Sequence, residues 1–397
     1  MAKHTIDSGA AEGDFYHVKD LLDPDERAKL DRVRAFLVDR VAPGAGERWE
    51  AGETPLGLRD EIRDLDITGT WADDHHIAPR SYLLTGLIGM EMARVDASFA
   101  TFFGVHAGLA MGSIRECGSE EQKERWLPPM VRWEKTGAFG LTEPLVGSGA
   151  SLGLLTTARR DGDSWVLDGE KKWIGNATFA DLVVIWARDV ADDQVRGFVV
   201  EKGAPGFTAR ALEGKIALRG VQNAHIVLDG VRVPEANRLA RADSFRDTAR
   251  VLKVTRGGVA WSATGCAIGA YEAARAYALE REQFGRPIAG FQLVQDLLAR
   301  MLANITACQG MVVRMAALHE QHRLDDAQAA LAKMFCTTRM RETVAWAREV
   351  LGGNGILLEH GAARFFADAE ALYSYEGTRD MNSLIVGRAI TGHSAFV

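Results

Sequence analysis

The sequence predicts a mostly helical α+β protein in which a small β domain separates two helical domains. Three observations point to this fold class. Apolar residues recur at helical spacing near the N-terminus, as at Val33, Phe36, Leu37 and Val41. From Gly137 onward, short apolar runs between turn signals replace the helical period. No proline follows Pro287, which favours long uninterrupted helices in the C-terminal part.

Residues 1–134 are predicted to form an N-terminal all-helical domain. Its first clear helix ends at Pro43, and two further helices run through 83–92 and 109–114. Ser119 followed by Gln122 has the spacing of a capping box, which predicts another helix start there.

Residues 135–240 are predicted to form a middle antiparallel β domain. Its strands are expected at 164–167, 182–186, 197–200 and 225–228. Three Asp-Gly dipeptides, at 161–162, 168–169 and 229–230, favour two-residue hairpin turns. We therefore expect a hairpin at each of them.

Residues 241–397 are predicted to form a C-terminal four-helix-bundle domain, since long helices with one apolar face pack as bundles. One such face is marked by Phe291, Val294, Leu298 and Met301.

Composition narrows the class of protein. The chain has 397 residues, 47% of them apolar and 25% charged, as in soluble globular proteins. Its net charge of −7 argues against a nucleic-acid surface. Four scattered cysteines without a CxxC pair indicate reduced thiols. The N-terminus has no apolar signal core, and no run approaches the roughly 20 apolar residues of a membrane span. We therefore expect a cytoplasmic protein.

The segment 373–380, Tyr-Ser-Tyr-Glu-Gly-Thr-Arg-Asp, places the carboxylate of Glu376 just after a helical run. Such a base could remove a weakly acidic C–H proton if another group accepts the hydride. The alternative is a solvated Glu at a helix end.

This segment resembles the catalytic loop of the FAD-dependent acyl-CoA dehydrogenases. Residues 384–392 are especially similar to the glutaryl-CoA dehydrogenase branch, and 118–128 also resembles the family. The resemblance covers nearly the whole chain and implies FAD as cofactor and Glu376 as catalytic base. Some branches place their base near Thr255, but a threonine cannot act as one.

The resemblance implies that two segments of the β domain hold the flavin. The residues assigned to them are Phe139, Leu141, Thr142, Gly147, Ser148, Trp173, Ile174 and Gly175. Two positions depart from the family: Gly175 stands where a Thr usually bonds to flavin N5, and Gly149 stands where an Asp is usual. Alternatively, the first segment is an ordinary turn and Trp173 a half-buried strand aromatic.

Segment 281–288 resembles the part of the family that reaches the ADP half of FAD in a neighbouring subunit. The residues assigned to this shared part are Arg281, Phe284, Gln292, Gly352 and Gly353, and Thr378 and Asp380 complete the cofactor set. A shared cofactor requires an oligomer, and the family's usual form implies a homotetramer built as a dimer of dimers. Gly352-Gly353 could also be a helix C-cap.

In the glutaryl branch an Arg shortly after an Arg-Val-Asp motif binds the distal carboxylate of the substrate. Here that position is Ala100, and the acidic neighbour expected before the motif is Ala93. Because a buried unpaired carboxylate is strongly disfavoured, we expect an acyl chain other than glutaryl. The residues assigned to substrate are Ser148, Phe99, Ala100, Phe103, Arg256, Tyr375, Gly377 and Arg388. Phe99 and Phe103 could equally be core, and His106 could face the pocket; His106 or Arg80 could still reach a distal carboxylate.

Asp73-Asp74-His75-His76 is the one run that suggests metal ligands. Four consecutive residues do not match the spacing of helical or strand ligands, so we expect a solvated loop and no metal site.

The sequence thus indicates FAD-dependent α,β-dehydrogenation of an acyl thioester, carried by CoA or an acyl-carrier protein, with an electron-transfer flavoprotein as electron acceptor. Two alternatives stay open on the same fold: a flavin oxidase or monooxygenase, and a flavin-free binding protein. A glutaryl-CoA dehydrogenase with a different carboxylate partner is a further variant.

Overall fold

The computed structural model describes residues 8–68 and 81–395 and arranges them as helices, a sheet and helices again. The fold class predicted from the sequence is confirmed. The Asp73–His76 run and Arg80 lie outside the described residues. Among those residues, no group of three or more His, Cys, Asp or Glu side chains could hold a metal ion.

The N-terminal part is helical, and its apolar stripe is buried as predicted. Val33, Leu37 and Val41 are fully buried, and Ser119 and Gln122 form the capping box. The α-helices are α1 Ser8–Ala11, α2 Pro24–Phe36, α3 Ala45–Ala51, α4 Arg59–Asp64, α5 Tyr82–Val95, α6 Ala97–Gly104, α7 Met111–Cys117 and α8 Glu120–Val131. Short 3₁₀ turns cover Val18–Leu21 and Leu56–Leu58, and π-helical turns cover Leu37–Val41 and Val105–Ala110.

The middle part is one sheet of seven strands. They are β1 Gly137–Gly140, β2 Thr157–Asp161, β3 Ser164–Gly175, β4 Leu182–Asp189, β5 Val195–Glu201, β6 Phe207–Ala211 and β7 Asn223–Pro234, with the short helix α9 Ala150–Gly153 between β1 and β2. The strand order is β1-β4-β2-β3-β7-β6, and β5 pairs with β4. Most pairings are antiparallel, but β4 pairs with both β1 and β2 in parallel.

Only one of the three Asp-Gly dipeptides makes a hairpin. Residues 161–162 lie at the turn between β2 and β3. The hairpins expected at 168–169 and 229–230 are wrong, because both dipeptides lie inside long strands. They face each other where the β3–β7 register shifts, and the Asp168 carboxylate accepts the Gly230 N–H at 2.7 Å. A β-bulge, like a tight turn, can need a residue at positive φ, which glycine adopts easily.

The C-terminal part consists of long helices. They are α10 Phe245–Glu280, α11 Gln292–Glu320, α12 Asp326–Val350, α13 Ala362–Ser374 and α14 Arg379–Thr391. The two-residue strands β8 Glu282–Gln283 and β9 Arg286–Pro287 form a hairpin between α10 and α11. Short 3₁₀ turns cover Glu235–Asn237, Ile288–Gly290, Gly352–Ile356 and Leu358–His360.

Two helical stretches, Ala97–Cys117 and Gln292–Glu320, are long and apolar enough to cross a membrane by length and composition alone. Neither stretch is a continuous apolar run, since the first contains Arg115 and Glu116 and the second Asp296 and Arg300. The apolar window of the first is 67% buried inside the protein and that of the second 39%. A core helix passes the same test, so the finding is weak evidence for a membrane span.

Helices α5 and α10 touch along glycines. A Cβ on Gly265 would lie 2.0 Å from the Met90 carbonyl oxygen, and one on Gly269 would lie 2.2 Å from that of Arg94. One turn earlier, the indole of Trp261 fills the space over Gly86. Only hydrogen at these positions permits such close backbone contact.

We predict that Gly265→Ala lowers stability, since the added methyl group forces the α5–α10 contact apart, at a cost of about 1–3 kcal/mol for an overpacked core site. The matched control is Gly310→Ala on α11, where a Cβ meets nothing within 4 Å. That change should leave stability equal or raise it by about 0.5–1 kcal/mol. Thermal melting of both variants checks this, and equal melting points would contradict the close contact.

Candidate active site

A cavity of about 1500 Å³ lies where the three parts of the chain meet. Its wall is built from α5, α6, the segment after β1, the end of β3, residues 214–218, α10 and the loop between α13 and α14. Such a large cleft between domains is the usual place for a cofactor and its substrate.

Glu376 presents its carboxylate to this cavity from a left-handed turn. The helix α13 ends at Ser374, and the next residues, Glu376 (φ 54°) and Gly377 (φ 84°), both have positive φ. Thr378 then caps α14, its hydroxyl accepting the Met381 N–H at 3.2 Å. The turn is therefore fixed by a helix end before it and a helix cap after it.

The Glu376 carboxylate has one direct partner among the described side chains. The Thr255 hydroxyl on α10 donates to its Oε2 at 2.7 Å. Burial raises the pKa of Glu376, while this hydrogen bond and the charges of Arg256 and Lys333 act in the opposite direction. A carboxylate with a raised pKa in a cleft is suited to take a proton.

Two cationic side chains, Arg256 and Lys333, act on the Glu376 carboxylate. Arg256 is held in an ion pair with Asp326 at the start of α12. The Lys333 amine donates to the carbonyl oxygens of Tyr373 at 2.8 Å and Gly377 at 2.7 Å. Sequence reasoning missed Lys333 and Asp326; a lysine on an apolar helical face next to Ala329, Ala330 and Ala332 is the only signal that could have pointed to Lys333.

The residues assigned to the flavin ring line the same cavity as Glu376. The cavity lining includes Phe139, Leu141, Thr142, Gly147, Ser148, Trp173, Ile174 and Gly175. The Trp173 side chain is 56% exposed although its neighbours Ile174 and Lys171 are buried. A left-handed φ of 69° at Trp173 and a register shift between Lys171 and Ile174 turn it out of the sheet.

A buried ion pair, also missed from the sequence, holds this wall in place. The Lys171 amine donates to Glu143 Oε1 at 2.8 Å and to the Leu141 carbonyl at 3.0 Å. The Glu143 carboxylate also accepts two backbone N–H groups, that of Thr156 at Oε1 and that of Leu155 at Oε2. Burial lowers the pKa of Lys171 to about 8, although Glu143 opposes this.

These residues fit a flat polar aromatic cofactor. Within the described residues the N–H groups of Thr142 and Ser148 make no hydrogen bond, so they can bond to a ligand, and the exposed Trp173 indole offers a stacking face. Gly175 lies close to Val105, because a Cβ there would be 3.0 Å from Val105 Cγ2. The neighbouring helix thus leaves little room for the Thr that the family usually has.

Seven of the eight residues assigned to substrate line the cavity, and one does not. Ser148, Ala100, Phe103, Arg256, Tyr375, Gly377 and Arg388 line the cavity. Phe99 does not: it is fully buried against Phe36 and Phe102 and belongs to the core. The assignment of Phe99 to the substrate site is therefore wrong.

His106 also faces away from the cavity and is wrong as a pocket residue. Its ring is fully buried against Trp133, Nδ1 accepts the Gly137 N–H at 3.0 Å, and Nε2 donates to the Met130 carbonyl at 3.0 Å. Burial lowers the pKa of His106 to about 4, so the ring is neutral and structural.

Arg94 of the Arg-Val-Asp motif is likewise occupied. Its guanidinium pairs with Glu91 at 2.5 Å and Glu272 at 2.9 Å. Of the cofactor residues, Thr378 lines the cavity, whereas Asp380, Arg281, Phe284, Gln292, Gly352 and Gly353 do not. The last six are exposed, Phe284 to 94%.

Comparison with known proteins covers nearly the whole chain. Residues 23–134, 138–231 and 245–391 match the models of the acyl-CoA dehydrogenase N-terminal, middle and C-terminal domains. An acyl-CoA dehydrogenase of Bacillus subtilis (strain 168) is 32% identical over 365 residues, 91% of this chain and 96% of the relative. A short-chain-specific acyl-CoA dehydrogenase of Megasphaera elsdenii is 31% identical over 372 residues, 91% and 96% of the two chains.

Two solved structures extend the comparison. A glutaryl-CoA dehydrogenase of Mycobacterium smegmatis in complex with FADH2 is 34% identical to this chain and superposes with a TM-score of 0.94. The match covers 98% of this chain and 100% of that chain. A structure described as an electron transferring flavoprotein of Acidaminococcus fermentans is 31% identical, with a TM-score of 0.89 and 94% and 99% coverage.

We predict that Thr255→Val raises the pKa of Glu376 further, because the carboxylate loses its one hydroxyl donor while its burial is kept. Infrared titration of the carboxyl band checks this, with the band identified by its loss in Glu376→Gln. The control is Thr264→Val on the same helix, whose hydroxyl donates only to the Ala260 carbonyl. A Thr255→Val titration that matches the parent would contradict the hydrogen bond.

Proposed function

This chain belongs to the acyl-CoA dehydrogenase family, and from that premise we propose that it dehydrogenates an uncharged short acyl-CoA, with Glu376 as the base that takes the α-proton. As a family member it is an FAD-dependent oxidoreductase acting on CH–CH bonds. This confirms the resemblance, the enzyme class and the cofactor predicted from the sequence. The oxidase and flavin-free alternatives gain no support from these relatives.

The observation that carries the proposal is the placement of the Glu376 carboxylate. It lines the same cavity as Trp173 and Thr142, so a substrate bound there can contact both the base and a cofactor held by those residues. Burial raises the pKa of Glu376, which strengthens the carboxylate as a general base.

FAD would be held by the residues of the Trp173 wall, through the free N–H groups of Thr142 and Ser148 and the indole face of Trp173. When bound, FAD supplies the acceptor for the hydride that leaves the β-carbon. Everything else in the reaction is positioning and proton transfer by this chain.

The backbone of the same turn supports activation of the thioester. Within the described residues the Glu376 N–H donates no hydrogen bond, so it is available to a substrate carbonyl. A donor aimed at that oxygen stabilises the enolate charge that develops as the α-proton leaves. One residue thus contributes both its carboxylate and its N–H.

The cations on the cavity wall support an uncharged acyl chain. Lys215 is committed to the carbonyls of Leu218 and Val221 and to the Asn223 side chain, and Arg256 is paired with Asp326. Arg246 and Arg388 are exposed, which suits phosphate groups of CoA better than a buried carboxylate. At the position of the glutaryl-binding Arg stands Ala100, which leaves a distal carboxylate without a partner.

We propose that the protein is a homotetramer that shares FAD between subunits. The exposure of Phe284 supports this, since a large exposed apolar side chain is usual at interfaces. Arg281, Gln292, Gly352 and Gly353 are exposed as well. An electron-transfer flavoprotein as electron acceptor is supported by the similarity to the Acidaminococcus structure.

A cytoplasmic location and the domain limits 1–134, 135–240 and 241–397 also stay proposals. The net charge and the four free, buried cysteines support the first. The family-model limits support the second.

We predict that Glu376→Gln retains FAD but reduces it about 10²–10⁴-fold more slowly with a thioester, because the nearly isosteric amide cannot accept a proton. Anaerobic stopped-flow bleaching of the flavin by butyryl-CoA measures this. Glu359→Gln, at an exposed carboxylate, is the control. Bleaching of the Glu376→Gln enzyme at the parental rate would show that another base acts.

Glutaryl-CoA should be a poor substrate beside butyryl-CoA. The missing charge-assisted contact is worth about 1.5–3 kcal/mol, which corresponds to roughly a 10- to 100-fold loss in kcat/KM. Ala100→Arg should reduce the difference in kcat/KM between the two substrates, because the arginine can pair with the distal carboxylate of glutaryl-CoA. A parental preference for glutaryl-CoA would contradict the assignment of the acyl pocket.

Arg281→Ala should lower both FAD content and oligomer size, since a ligand bound between subunits links cofactor loss to dissociation. Gel filtration with flavin absorbance on the same fractions tests this. Arg300→Ala on α11, which removes an exposed ion pair with Asp296, is the control. Full flavin occupancy in an intact oligomer of Arg281→Ala would contradict a shared site.

A further inference from the structure

Lys333 is an unusual residue for its position. It lies in the middle of α12, is fully buried, and is among the largest buried side chains of the described chain. Lysine is almost never fully buried unless its charge has a counterpart. No carboxylate of the described residues lies within ion-pair distance of its amine, so the reason for this burial must be found elsewhere.

The amine is directed at the loop that carries Glu376. Its two acceptors, the Tyr373 and Gly377 carbonyls, lie on either side of residues 374–376. The Lys333 ammonium group therefore binds both ends of the turn that carries Glu376. Because Glu376 and Gly377 are both left-handed, and this conformation is unfavourable for a non-glycine residue such as Glu376, the turn needs such external support.

The opposite charge that acts on the amine is that of Glu376 itself. Burial lowers the pKa of Lys333 to about 8, the Glu376 carboxylate raises it again, and Arg256 lowers it. The charged groups around Glu376 are thus Arg256 from α10, Asp326 paired with that arginine, and Lys333 from α12. Arg256 and Lys333 both lower the pKa of Glu376, Arg256 the more strongly, but only Lys333 has no carboxylate partner of its own among the described residues.

We propose that Lys333 is a positioning residue for Glu376: its ammonium group fixes the 373–377 turn through two carbonyls and adds to the positive charge that favours the ionised base. This inference rests on the proposed function, in which Glu376 takes the α-proton. Lys333 thus has two effects on Glu376: it holds the turn in place, and its charge favours the ionised carboxylate. The two effects can be measured separately.

Asn382 provides the matched comparison. Its side-chain amide is buried and donates to the same Gly377 carbonyl at 2.9 Å and to that of Thr378 at 3.0 Å. It supports the same turn but carries no charge. Asn382→Ala therefore loosens the turn without an electrostatic effect, whereas Lys333→Met removes both contributions and Lys333→Arg keeps the charge.

The test measures proton removal without hydride transfer. Acetyl-CoA has α-hydrogens but no β-carbon, so an enzyme with a working base exchanges its methyl hydrogens with D2O while its flavin stays oxidised. The rate is followed by NMR from low to neutral pH for the parent, Lys333→Met, Lys333→Gln, Lys333→Arg and Asn382→Ala. Glu376→Gln gives the background, and flavin absorbance confirms that each variant is loaded. The two neutral substitutions give two chances of a folded protein.

The parent should lose exchange as the pH falls through the pKa of Glu376. Without the Lys333 charge that pKa rises, so Lys333→Met or Lys333→Gln should lose exchange at higher pH than the parent and be several-fold slower at the acidic end. Lys333→Arg and Asn382→Ala should be slower by a constant factor at every pH. A neutral Lys333 variant with the parental pH profile would overturn the inference, as would an equal displacement in Asn382→Ala. If the parent shows no Glu376-dependent exchange, the base assignment itself fails and the inference with it.

Discussion

The contact between the Glu376 carboxylate and the Thr255 hydroxyl is the interaction on which the active site depends. It joins the loop after α13 to the middle of α10, two elements that come from distant parts of the chain. The left-handed turn at Glu376 and Gly377 makes the contact possible, and the Thr378 cap fixes where the turn ends. The position of the base thus follows from helix ends and from the packing of α10 against α12.

Both walls of the cavity use buried ionisable groups, but in different ways. On the cofactor side, Lys171 and Glu143 neutralise each other, and the pair ties the segment after β1 to β3. On the base side, Lys333 has carbonyl partners instead of a carboxylate, so its charge remains available to the anion in the cavity. A buried ion pair chiefly fixes geometry, whereas a buried single charge also changes the protonation of its neighbours.

Much of this could be predicted from the sequence because the signals are local. Helical periodicity, the Ser119 capping box and the segment around Glu376 each depend on a few consecutive residues. The parallel pairings of β4 could not be predicted, since they depend on contacts across the sheet. The misplaced Phe99 has a simple geometric reason: Ala100 and Phe103 are three apart on α6 and share the cavity face, while Phe99 and Phe102 share the core face. Lys333 was missed because a lysine in a helix is usually solvated, and only the fold brings the 373–377 carbonyls to it.

The proposed reaction couples proton removal from the α-carbon to hydride loss from the β-carbon. The most direct test is anaerobic single-turnover reduction of the enzyme with butyryl-CoA deuterated at the α-carbon, at the β-carbon, or at both. We expect each label to slow flavin bleaching, and one α-deuterium to appear in the solvent. Bleaching at the unlabelled rate with the α-label, together with full retention of that label in the product, would contradict the role assigned to Glu376.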